Sequence, residues 1–215
     1  MSTTLWLATL GVTGVAMANK TDGQIQIGVT TPVYTVTRWT DVQEINGEDE
    51  DTAVSGSEWG FRNQVTGELG YGVSKYVVLG AMFQLGGGTE TMEPDYNDTE
   101  VNHQFYEMMI GPKLDVMLRP GKAVRPLIGL SGGYASSWST HEETMQPDED
   151  VSARGFRIIG TLGARLFLAK NFSFDPAFVF NYRRDSRTLD VGGGEFDVTR
   201  KGYQMGLVFG FSGWL

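Results

Sequence analysis

The sequence predicts an all-β protein, an eight-stranded antiparallel up-and-down transmembrane β-barrel. Three observations lead there. Long segments alternate apolar and polar residues one by one; acid-rich loops and short basic turns separate them in alternation; and nowhere do about 18 consecutive apolar residues occur that could cross a bilayer as a helix. The mean hydropathy of -0.19 looks soluble, but a membrane barrel averages a lipid-facing and a lumen-facing side chain at every step, so this value hides its membrane surface.

Taken in order, the expected strands are 23–39, 58–72, 75–88, 102–118, 124–139, 152–168, 171–184 and 197–214. Polar loops centre near residues 48, 96, 146 and 191, and tight turns near 74, 121 and 170. The alternation is cleanest on the second strand, where Trp59, Phe61, Val65, Leu69 and Tyr71 share one face and Glu58, Arg62, Gln64, Thr66 and Glu68 the other. The fourth sets Tyr106, Met108, Ile110, Leu114, Val116 and Leu118 against Glu107, Lys113 and Asp115. The sixth sets Phe156, Ile158, Leu162, Ala164, Leu166 and Leu168 against Arg157, Thr161 and Arg165; the seventh sets Phe172, Phe174, Phe178, Phe180 and Tyr182 against Ser173, Asp175, Asn181 and Arg183. On the first strand Pro32 interrupts the pattern and predicts a bulge.

Periodicity alone leaves two readings open. A soluble barrel would turn the aromatic faces inward, and a membrane barrel would turn them to lipid. Strand length favours the membrane, since the segments run well beyond the roughly 5–6 residues usual in globular sheets. Trp39, Trp59, Trp138 and Trp214 all lie at strand ends, where an interfacial girdle would place them.

Residues 1–18 read as a signal peptide, with an apolar stretch from Leu5 to Val15 and the small-x-small box Ala16-Met17-Ala18; residues 19–215 then form the barrel domain. The leader departs from the usual form in having no Lys or Arg before Leu5. Cysteine is absent, which removes disulfides, thiol nucleophiles and zinc-thiolate sites, and the net charge of -9 argues against nucleic acid as a partner.

On the last strand, Gln204-x-Gly206-x-x-Phe209-x-Phe211 resembles the insertion signal that the barrel-assembly machinery reads on terminal strands. With its hairpin rhythm, the chain resembles the small eight-stranded outer-membrane barrels of the OmpX, OmpW, opacity and OmpA transmembrane-domain type. The resemblance implies a porin-like, cell-surface barrel in the outer membrane of a Gram-negative bacterium, in contact with the assembly machinery during insertion. The ending departs from the pattern: Trp214-Leu215 replaces a terminal Phe, and Gly213 takes an outward position.

Charge is segregated. The regions 40–58, 89–101, 141–150 and 183–200 hold 21 of the 26 acids, whereas Lys75, Arg119, Lys122, Arg125 and Lys170 mark the turns. Clusters such as Glu48-Asp49-Glu50-Asp51 and Asp148-Glu149-Asp150 suit divalent cations bridging to lipopolysaccharide phosphates. Facing the lumen, the alternation places Arg62, Glu68, Glu107, Lys113, Asp115, Arg125, Arg157, Arg165, Asp175 and Arg183, and a barrel this narrow should bring them together as ion pairs.

No catalytic, cofactor-binding or metal residue is assigned: His103 and His141 lie at or beside loops, and no pattern like the His-x-Ser-Asn of lipid A deacylases occurs. The expected function is a monomeric structural or surface-interaction barrel in contact with outer-membrane lipid and lipopolysaccharide. A narrow passive channel for small solutes is the alternative, and an outer-leaflet lipid-modifying enzyme ranks third.

Overall fold

A computed structural model describes residues 21–45, 48–59, 64–92, 101–119, 122–143, 149–191 and 194–215, and the side chains of 21–38, 64–88, 106–119, 122–140, 151–187 and 199–215. The expected signal peptide, Arg62 and Asp148 fall outside these residues, and Trp39 and Trp59 are described in their backbone alone.

Among the described residues ten strands are present: β1 (Ile25–Ile45), β2 (Glu48–Trp59), β3 (Gln64–Gly72), β4 (Val77–Met92), β5 (Val101–Met117), β6 (Val124–Glu143), β7 (Glu149–Ala169), β8 (Phe172–Phe174), β9 (Ala177–Val191) and β10 (Gly194–Trp214). They make eight staves. β2 and β3 both pair with β1, and β8 and β9 both lie between β7 and β10, so each couple is one stave in two pieces. Every pairing is antiparallel, and β1 closes the ring on β10 from Gln26↔Trp214 to Gln43↔Val198. Closure leaves no free sheet edge across the spanning part of the ring, which a bilayer interior demands because it offers backbone groups no other partner, while β2, in the acidic hairpin, pairs with β1 alone among the described residues.

Proline sets the irregularities. At Pro32 the β1–β10 register slips, Pro32 facing Val208 and Tyr34 facing Leu207, as the sequence predicts. The break at Asp175–Pro176 is not expected from the sequence, but the stave holds: Asp175 exchanges both backbone hydrogen bonds with Gly210, and the Pro176 carbonyl accepts from Ala164. Glycine permits close strand approach at Gly206, where an added Cβ would lie 2.3 Å from the Tyr34 carbonyl oxygen.

The expected long loops need correction. The ladders continue through the acid-rich regions as hairpins, β1–β2 to Ile45↔Glu48, β4–β5 to Met92↔Val101, β6–β7 to His141↔Glu149 and β9–β10 to Val191↔Gly194. Beyond a membrane both faces of a hairpin meet water, so polar residues on both sides erase the alternation while the backbone goes on pairing.

The structure decides which face is inside. Leu69, Tyr106, Leu162 and Leu168 are each more than half exposed on the outer wall, whereas Asp115, Arg125, Arg157 and Arg165 are at most 2% exposed. An apolar belt of this extent has no counterpart on a water-soluble monomer. Aromatics stud this wall on β3–β10, and on one side Phe172 stacks on Phe211 with centroids 5.7 Å apart and Phe174 meets Phe209 edge-on at 5.5 Å. Trp138 belongs to the outer wall, as expected.

Trp214 does not. It is fully buried in the barrel, against Phe167 at 5.8 Å, with its indole N–H donating to Ser173 Oγ at 3.4 Å. Alternation explains the correction, since Phe211 points outward and Trp214, three residues on, must point in.

Candidate functional site in the barrel lumen

The lumen is filled in layers that can be followed along single strands. From the turn end, the inward residues of β5 include Met117, Asp115, Lys113, Met109 and Glu107, and those of β7 include Phe167, Arg165, Ile159 and Arg157. Apolar and charged levels therefore alternate.

At the turn end Val78, Met117, Leu127 and Trp214 pack together with Phe167. Arg125 lies there too, its guanidinium 4.3 Å over the Phe167 ring and its Nε donating to the Lys122 carbonyl at 3.0 Å. Above this floor is the first charged level. Lys113 pairs with Glu68 and, at 3.1 Å, with Asp115. Arg165 reaches Asp115 and Asp175, both at 3.2 Å, with its guanidinium 4.9 Å over the Trp214 ring. Ser212 donates to Asp175 at 2.6 Å, and Gln26 donates to Ser212 at 3.0 Å.

Met82, Met109, Ala135 and Ile159, with Val179 against them, form an apolar collar. Beyond it lies the second charged level, centred on Glu107. Arg157 grips that carboxylate with both terminal nitrogens, at 2.7 and 2.6 Å, in the fork geometry that makes arginine–carboxylate pairs strong. Arg183 adds a contact at 3.2 Å and also pairs with Asp185, while Gln64 donates to Glu107 at 2.7 Å. Gln84 accepts from Arg157, and Ser137 from Arg183, both at 3.1 Å.

Eight of the ten residues expected in the lumen thus form two ion-pair clusters, Glu68, Lys113, Asp115, Arg165 and Asp175 in one and Glu107, Arg157 and Arg183 in the other. Arg125 is anchored over the aromatic floor instead. Asp185 is a charged member that the sequence reading missed, because it was assigned to a loop; carrying the inward parity of Arg183 two residues further would have found it. The apolar levels were missed because the inward face was read for charge alone.

The lumen is not completely filled. A cavity of about 80 Å³ remains, lined from every stave, by small inward residues such as Thr30, Thr66, Ala177 and Val208 and also by Met82, Ile159 and Val179 of the apolar collar. Thr35 Oγ1, Asp175 Oδ1, Asn181 Oδ1 and Gln204 Nε2 belong to residues lining it, and these buried atoms have no protein partner among the described residues. Roughly five waters fit a volume of this size and would satisfy them.

On the terminal strand, Gln204 and Gly206 take inward positions and Phe209 and Phe211 outward ones, both rings more than 40% exposed. Both described chain ends lie at the turn rim: Gly23 N donates to the Gly72 carbonyl, and Trp214 N to that of Asn171.

A closed antiparallel barrel with a lipid-type exterior and an ion-paired interior defines a transmembrane β-barrel of the bacterial outer-membrane type. Among solved structures, the outer membrane protein OprG of Pseudomonas aeruginosa superposes with a TM-score of 0.56 at 11% identity, covering 89% of this chain and 96% of its own. The outer membrane protease OmpT of Escherichia coli gives 0.48 at 9% identity, covering 91% of this chain and 98% of its own. No family model and no curated protein matches the chain. At such identities the likeness is one of fold, and the chain has the fold of the small outer-membrane barrels.

Proposed function

We propose that this chain is a closed outer-membrane barrel whose working surface is its acidic hairpins and whose lumen serves as a static ionic plug. The observation that carries the reading is the double clamp on Glu107, where Arg157 and Arg183 converge on one carboxylate across the bore. Buried ions of opposite sign hold one another at such distances, and parting them leaves uncompensated charge. The hairpins would lie outside the cell, where their carboxylates meet lipopolysaccharide phosphates through divalent cations. Gln204, Gly206, Phe209 and Phe211 would present the signal for the barrel-assembly machinery. The reading gives the barrel no catalytic role and expects it to act as a monomer. In planar bilayers the folded protein should show no discrete conductance steps; regular steps from the unmodified chain would overturn the plug.

A second reading, a narrow passage for small solutes, is favoured by the cavity at the level of the apolar collar. Its polar atoms without protein partners among the described residues span from Asp175 in the first charged level to Gln204 and Asn181 further along, so a hydrated lane would thread the collar, whose Met82, Ile159 and Val179 also line the cavity. Swelling of barrel-loaded liposomes in small uncharged solutes, in the absence of ionic conductance, would favour that lane over the plug.

A further inference from the structure

The register of the outer hairpins brings together four residues of metal-ligating type that are scattered in the sequence. Glu90 of β4 lies opposite His103 of β5, His103 opposite His141 of β6, and His141 opposite Glu149 of β7. These are the only two histidines of the chain. The row rests on three ladders, each followed from the membrane-spanning part to the hairpin without a register shift. Counting two residues at a time from Glu107 on β5 and from Arg157 on β7 places the row on the face continuous with the lumen wall.

We propose that the His103–His141 register pair, flanked by Glu90 and Glu149, is a binding site for a divalent transition-metal ion of the zinc or copper class. Directly opposed positions of an antiparallel ladder share a face with Cβ atoms about 4.5–5.5 Å apart, a spacing one ion can bridge with metal–nitrogen bonds of about 2.0–2.1 Å. The register thus brings two histidine positions together with an acidic position on either side, and imidazole nitrogen donors select zinc and copper over calcium and magnesium. The surrounding acids raise the local cation concentration. A calcium bridge between the acid clusters and lipopolysaccharide uses oxygen donors only, so the two cation roles are separable, and the row does not depend on whether the lumen is closed.

The test titrates zinc(II) into the full barrel folded in detergent micelles, with heat-modifiable gel mobility confirming that each variant is folded. One zinc per barrel is expected, undisturbed by excess calcium. His103→Gln and His141→Gln should each weaken binding about tenfold or more, whereas the double substitution Glu48→Gln with Asp49→Asn, in the acid cluster of the β1–β2 hairpin, should leave it unchanged. Copper(II) should show splitting from two nitrogens in its paramagnetic spectrum, lost in the double histidine variant. Undiminished binding in both histidine variants, displacement by calcium, or loss on the acid-cluster substitutions alone would overturn the site.

Discussion

At the scale of single residues, the inner wall is where the chain's stability and closure meet. Arg157 is 2% exposed and satisfies both oxygens of Glu107. Its replacement by Ala leaves the longer Arg183 contact as the cation paired with Glu107 in the clamp, beside the neutral Gln64 donor, and takes a donor from Gln84. Breaking a buried pair from one side costs about 3–5 kcal/mol, so Arg157→Ala should lower the temperature at which the folded band disappears in heat-modifiable electrophoresis, and it should admit conductance steps in planar bilayers. Unchanged behaviour in both assays would remove the ion-pair plug from the account. These charges were legible in the sequence because a charge such as Arg157 or Asp115, set between two apolar neighbours on a strand, has nowhere to go but inward. Which acid meets which base between strands was not legible, since Lys113–Glu68 and Arg157–Glu107 each join strands that are not adjacent in the ring, which no single strand records.

At the scale of elements, alternation located all eight staves but not their ends. The ends failed where the membrane stops: above it, Asp41, Thr52, Glu44 and Asp49 sit in paired register without an apolar face to reveal it. Trp214 failed for the opposite reason, because a residue type suited to the interface was weighed above its parity, and Arg165, Phe167 and Ser173 hold it inside. The terminal stave has a prediction of its own. Phe211 faces lipid beside Phe172 and Phe174, so Phe211→Asp sets a carboxylate against hydrocarbon and should block assembly, read as loss of the protein from the outer-membrane fraction. Gly206→Val should slow assembly, because its Cβ would strike the Tyr34 carbonyl at the closing seam. Normal abundance of Phe211→Asp would refute the insertion-signal role.

At the scale of the whole molecule, the barrel is polarised. One rim carries both described chain ends and the turns with Lys75, Arg119, Lys122 and Lys170, and the opposite rim rises into the acidic hairpins. Export by a signal peptide would leave the first rim in the periplasm and carry the second to the outside, and the surface role depends on that orientation. The most direct test inserts an epitope tag after Gly193, at the end of the β9–β10 hairpin, and another after Gly121, between β5 and β6. Antibody should bind the first on intact cells and reach the second only after permeabilisation; the reverse pattern would invert the barrel and contradict the surface role, and equal labelling in a soluble fraction would contradict the membrane barrel itself.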